Sequence, residues 1–217
     1  MAAFRRASEM GAEAVELDVR RTSDGVLVVH HNPHLHDGRQ ISAITFAEMR
    51  APGDGVEVPT LGEALDACAG MWVNVEIKND PSEPDFDPAD TIADDTIAHL
   101  VARHSDELWL ISSFREETID RCRVLAPQIA TAWLCVEIDD ATPARLAGKG
   151  HSAVHPWVRS LTAEQIARCH DQGLQVNTWT CDDPQRMAEL IEWGIDGICT
   201  NVPDVALSVR SAGGAPA

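Results

Sequence analysis

Residues 11–35 read GAEAVELDVRRTSDGVLVVHHNPHL, and the alternation inside this stretch decides the fold. Val15, Leu17 and Val19 alternate with Glu16 and Asp18, so on an extended chain the two acids point to one side and the apolar residues to the other. Asp24-Gly25 is a turn signal, from which the chain is expected to return along 26–31 and place a histidine back over Glu16 and Asp18. A second stretch, WVNVEIK (72–78), repeats the two-residue spacing with Glu76 and Lys78.

Further along the chain, short β-rich runs alternate with helical patterns, the rhythm of a parallel sheet wrapped by helices. The strands are expected at 14–20, 72–78, 108–113, 129–135, 153–158, 174–180 and 197–200, and the helices at 4–10, 61–69, 88–104, 115–125, 141–147, 163–172 and 184–193. Asp87, Thr162 and Asp183 read as N-caps, while Gly11 and Gly173 suit left-handed C-terminal caps. The acidic, Pro-rich stretch 79–95 reads as a solvated loop entering a helix, and 211–217 as a disordered tail. An open doubly wound sheet is the alternative architecture, but no Gly-rich phosphate loop follows any strand. The expected fold class is therefore α/β, a (β/α)8 TIM barrel in one domain over 1–210. Seven strands and a chain that opens inside a helix imply that the first strand and the start of the first helix are lacking.

With 217 residues, 44% apolar and 24% charged, the chain can bury a core of its own. A formal net charge of −18 excludes a nucleic-acid partner, since no Lys/Arg stripe offsets the repulsion from a phosphate backbone. The six cysteines form no CxxC pair and read as buried free thiols. No run approaches the ~18 consecutive apolar residues of a membrane span, and the first residues lack the apolar stretch of a signal peptide, so a cytoplasmic location is expected.

The chemistry concentrates on the charged strand positions. Burying unpaired carboxylates costs several kcal/mol each, so Glu16, Asp18 and Glu76 on interior strands call for a cation. Either Arg and Lys partners neutralise them, or a divalent metal does so at the C-terminal ends of the strands, where barrel active sites are built. An all-carboxylate set favours Mg2+ or Ca2+ over zinc. The run VLVVHHNPHLHD holds His30, His31, His34 and His36 without the Cys partners or helical spacing of a zinc site. A single imidazole at the end of the run, positioned beside the carboxylates, can act as a general acid or base.

Together with VPTLGEAL, VNVEIK, SSF, VNTWT and GIDGICTNVPD, the opening stretch resembles the glycerophosphodiester phosphodiesterase family in order and spacing over nearly the whole chain. The resemblance implies a TIM barrel with a small excursion after the second barrel strand, at about 21–70. It also implies metal-dependent hydrolysis of small glycerophosphodiesters to glycerol 3-phosphate and an alcohol. The family's metal ligands fall on Glu16, Asp18 and Glu76, and its loop histidine on His31, with His30 the neighbouring alternative. Lys78 matches the lysine of the EIK motif, near the phosphate, or else only balances the carboxylates. Trp179 matches an aromatic at the glycerol end of the substrate, or else packs the barrel mouth.

The resemblance also implies a first strand ending in His-Arg-Gly, with a second catalytic histidine, which the sequence does not contain; Asn32 stands where the family has Asp. Three readings stay open at this point: a longer enzyme, a short and weakly active form, and a non-catalytic barrel that binds a metal or phosphate ligand or recruits a partner through an open strand edge.

Overall fold

The computed structural model describes residues 1–50 and 58–213. Its strands are β1 (Ala14–Arg21), β2 (Leu27–Val29), β3 (Trp72–Ile77), β4 (Trp109–Ser113), β5 (Ala130–Cys135), β6 (Ala153–Pro156), β7 (Gln175–Thr178) and β8 (Gly197–Ile198). They join in the order β2-β1-β3-β4-β5-β6-β7-β8. The sheet is parallel throughout except for β2, which folds back antiparallel onto β1. It curls into a half-barrel, open between β8 and β1 among the described residues. Each of the seven runs expected to be extended holds a strand, and the Asp24-Gly25 turn produces the hairpin, with Gly25 at φ +83°.

The helices are α1 (Ala2–Glu9), α2 (Phe46–Met49), α3 (Leu61–Ala67), α4 (Thr91–Val101), α5 (Glu116–Leu125), α6 (Thr142–Lys149), α7 (Ala163–Asp171), α8 (Pro184–Glu192) and α9 (Pro203–Ala212). Thr162 caps α7 in a reciprocal box with Gln165, and the Asp183 carboxylate accepts the Gln185 N–H at the start of α8. Gly11 and Gly173 take the left-handed conformation expected of them, at φ +86° and +75°.

The alternation on β1 determines how the layers form. Val15, Leu17 and Val19 face outward with Val73, Val75 and Ile77, packing against Leu61, Ala64 and Leu65 of α3 and Ile92, Ile97 and Leu100 of α4. A second core joins β6 and β7 to α7 and α8 through Val154, Val176, Ile166 and Leu190. The helices thus cover the apolar side of the sheet and leave the inner side to the polar positions. All six cysteines are free thiols, five of them buried.

Four expectations need correction. The helix placed at 88–104 begins at Thr91. The Asn79 amide pins the backbone of Asp87 (Nδ2 to O 3.0 Å, N to Oδ1 2.8 Å), which holds the chain off the helical path until Asp90, the N-cap, at φ +53°. Asp87 still accepts the Ile92 N–H from outside the helix. Second, the stretch 79–95 is not simply solvated: Glu83 and Asp85 meet Arg20, Asp87 and Asp95 meet Arg21, and the buried Asp90 meets Arg115. Third, α9 was not anticipated. It packs Val205, Ala206 and Val209 onto the second core and runs to Ala212, two residues into the stretch expected to be tail; 214–217 lie outside the described residues. Fourth, within 21–70, of which 51–57 also lie outside, Val28, Leu35, Ile41, Met49 and Val58 form a small core of their own, whereas α3 joins the main one.

Candidate active site

Parallel register brings the charged positions of two strands together. Asp18 pairs with Glu76, and Glu16 with Asn74, so all four face the barrel interior. Carboxylate oxygens of Glu16, Asp18 and Glu76 lie within 4.8 Å of one another. Lys78 reaches into the same group, with Nζ 2.6 Å from Glu76 Oε1 and 3.1 Å from Asp18 Oδ1.

Lys78 does not neutralise the cluster. One ammonium cannot balance three carboxylates if all ionise, and Glu16 has no cationic partner: its buried Oε1 makes no hydrogen bond. Burial, reinforced by the charges of Asp18 and Glu76, pushes the Glu16 carboxyl well above the usual carboxylate range. Glu76 is raised as well, by burial, although Lys78 opposes the shift. Burial alone would lower the Lys78 pKa, but Glu76 and Asp18 outweigh it and keep the ammonium charged. An all-oxygen donor set that one lysine leaves under-neutralised, with an orphaned oxygen, fits a divalent cation.

The hairpin delivers His31. Val29 pairs with Val19, and the His30 N–H donates to the Asp18 carbonyl at 3.0 Å, so the chain leaves β2 directly above the acids. His31 lies close enough to Glu76 to act on that carboxylate electrostatically. Its Nδ1 lies 3.0 Å from Asn32 Oδ1. His30 has Nδ1 2.8 Å from the Asn32 carbonyl and its ring edge-on to His36. His34 and His36 line an open depression of about 590 Å³ formed by the loop itself. Among the described residues the histidines join no metal-capable group.

Trp179 stands at the end of β7. Its indole N–H donates to the His155 carbonyl at 2.8 Å, and its ring meets Phe114 edge-on at 5.3 Å. Phe114 in turn lies 5.9 Å from Lys78 Nζ, so an aromatic wall continues from the carboxylate cluster around the mouth. Phe114 was missed as a site residue, although its signal was present: an aromatic directly after a strand end, where packing alone does not require one. Ser113 is structural, its hydroxyl donating to the Ile77 carbonyl, whereas Ser112, beside Glu76 in register, keeps a buried hydroxyl without a partner. Deeper in the barrel, His155 Nε2 lies 2.9 Å from Asn177 Nδ2, and burial lowers its pKa to about 4. Cys199 feels the acidic cluster from the β8 side: burial first, then Glu16, Glu76 and Asp18, push its thiol to about 12.

Among the described residues no helix is long and apolar enough to cross a membrane. Residues 1–205 match the model of the glycerophosphoryl diester phosphodiesterase family. A glycerophosphodiester phosphodiesterase of Caldanaerobacter subterraneus subsp. tengcongensis is 29% identical, over 99% of this chain and 92% of its own length. A crystal structure of a glycerophosphodiester phosphodiesterase from Parabacteroides distasonis is 25% identical with a TM-score of 0.84, covering 95% of this chain and 87% of that one. An Oleispira antarctica phosphodiesterase in complex with the product sn-glycerol-3-phosphate shares the fold, with a TM-score of 0.82 at 24% identity over 97% of this chain and 90% of that one.

Proposed function

Because the chain belongs to the glycerophosphoryl diester phosphodiesterase family, we propose that it hydrolyses small glycerophosphodiesters to glycerol 3-phosphate and an alcohol, using a divalent cation held by Glu16, Asp18 and Glu76. The observation that carries this reading is the orphaned, buried Glu16 oxygen beside two further carboxylates that a single lysine leaves under-neutralised. Bound there, Mg2+ or Ca2+ supplies charge stabilisation for a phosphate.

The chain's own residues divide the remaining work. Hydrolysis adds water across a P–O ester bond, and the departing alkoxide needs a proton. With His31 Nδ1–H donating to Asn32 Oδ1, the tautomer leaves Nε2 free to move that proton. Lys78, held between Asp18 and Glu76, presents its remaining N–H to a phosphate oxygen. Trp179 and Phe114 form a wall for the organic part of the substrate. A second histidine on a His-Arg-Gly strand, which the resemblance implies, is not encoded in these 217 residues.

The test is glycerophosphocholine hydrolysis with Mg2+ or Ca2+ present. Activity is expected to vanish with EDTA and in Glu16→Ala; activity surviving both rejects the carboxylate-metal site. Metal binding by calorimetry without any turnover favours the non-catalytic barrel instead.

A further inference from the structure

Arg20 is fully buried, yet it sits on the inward side of β1, next in line after Glu16 and Asp18. Its guanidinium forks onto a single backbone oxygen: Nε and Nη2 donate to the His31 carbonyl at 3.0 and 2.7 Å. The rest of the group is held from the loop after β3, with Nη1 donating to Asp85 Oδ2 at 2.6 Å and Nη2 to Glu83 Oε1 at 3.1 Å. Glu83 and Asp85 accept from the guanidinium as its ion-pair partners, which offsets the cost of burying the charge. One rigid cation therefore ties the strand that carries Glu16 and Asp18, the loop that follows Glu76 and Lys78, and the backbone of the hairpin histidine.

We propose that Arg20 is a positioning residue that sets the height of His31 over the carboxylate cluster by clamping its main-chain oxygen. This rests on the acid–base role given to His31 above. The planar fork matters because two N–H groups in fixed geometry define both the distance and the direction of the carbonyl, which one flexible ammonium does not. The other fixed point is the His30 N–H on the Asp18 carbonyl at 3.0 Å. Between these two anchors the His31 backbone has little freedom, so its imidazole is aimed before substrate arrives. The rival explanation is that Arg20 only balances Glu83 and Asp85, in which case His31 is indifferent to its loss.

A mutant cycle on the full chain in saturating metal separates the two. Arg20→Gln is expected to lower kcat by about 10- to 100-fold, since a ~1 Å misplacement of a reacting group costs on the order of 10²-fold. KM and the calorimetric metal affinity are expected to stay within about threefold, because neither depends on the imidazole. Arg20→Lys should recover part of the loss. In a His31→Ala background, Arg20→Gln is expected to change kcat by less than about twofold, since the group it aims is gone. Equal losses in both backgrounds, with His31→Ala itself impaired, overturn the clamp and leave the acid–base role standing. Undiminished activity in His31→Ala removes that role, and the clamp with it. If Arg20→Gln fails to fold by circular dichroism, Arg20→Lys, which retains the charge facing Glu83 and Asp85, takes its place in the cycle, and the same outcomes support or overturn the clamp.

Discussion

Replacing Glu16 by glutamine should make the metal-free protein more stable and the metal-loaded protein comparatively less so. The side chain keeps its size and loses its charge. At separations of up to 4.8 Å and an effective dielectric of about 20, each like-charge pair with Asp18 or Glu76 costs ~3 kcal/mol, and attraction to Lys78 offsets roughly one of them. Part of that cost is already relieved in the wild type by protonation, because the Glu16 pKa is raised. A gain of about 2 kcal/mol near neutral pH is the expected balance, or roughly 4–8 °C in Tm for a domain of this size. The gain should depend on pH. The native state holds a proton on Glu16 that the unfolded chain gives up near the ordinary value of 4.5, so wild-type stability falls as pH rises from there towards the raised pKa, while the glutamine variant lacks this slope. The advantage of Glu16→Gln in EDTA should thus widen as pH rises above 4.5. Adding Mg2+ or Ca2+ at 100 times its Kd should stabilise the wild type by about 2.7 kcal/mol and the variant by much less, reversing the order. Thermal unfolding followed by circular dichroism in EDTA and in excess metal measures both. A variant less stable than wild type in EDTA, or equal metal-induced shifts in the two proteins, would refute the reasoning.

Lys78→Met should lower kcat/KM by more than about tenfold while leaving metal affinity equal or tighter, since the ammonium repels a cation; weakened calorimetric metal binding would count against this. Trp179→Ala should raise KM more than it lowers kcat, because it removes the partner of Phe114 and no proton-transfer group; a pure kcat loss in steady-state kinetics contradicts the wall assignment. His155 has its pKa lowered to about 4 by burial, so the neutral ring supports the fold above 6.5 and that support is lost as pH falls through about 4. Stability should decline by roughly 3 kcal/mol across this window, and His155→Gln should flatten the slope in urea titrations; an unchanged slope places the acid sensitivity elsewhere.

The acids were legible because a strand imposes a period of two. Glu16 and Asp18 on one side and Val15, Leu17 and Val19 on the other follow from extended geometry alone, and so does the hairpin at Asp24-Gly25. Capping at Thr162 and Asp183 was equally local. In contrast, α9 was not legible, since Val205, Ala206 and Val209 acquire their meaning only from the core they cover.

By itself, then, the amino-acid order determined which side chains share a strand face, where the Asp24-Gly25 turn and the Thr162 and Asp183 caps fall, and which three carboxylates are candidates to share a cation. Only the tertiary structure decided that Asp18 lies opposite Glu76, that Lys78 bridges those two acids and leaves Glu16 alone, and that Arg20 meets the carbonyl of His31. The physical reason is one of range. Backbone sterics and hydrogen bonding act over a few neighbouring residues, whereas the register between β1 and β3 is set by how α3 packs across some fifty intervening residues.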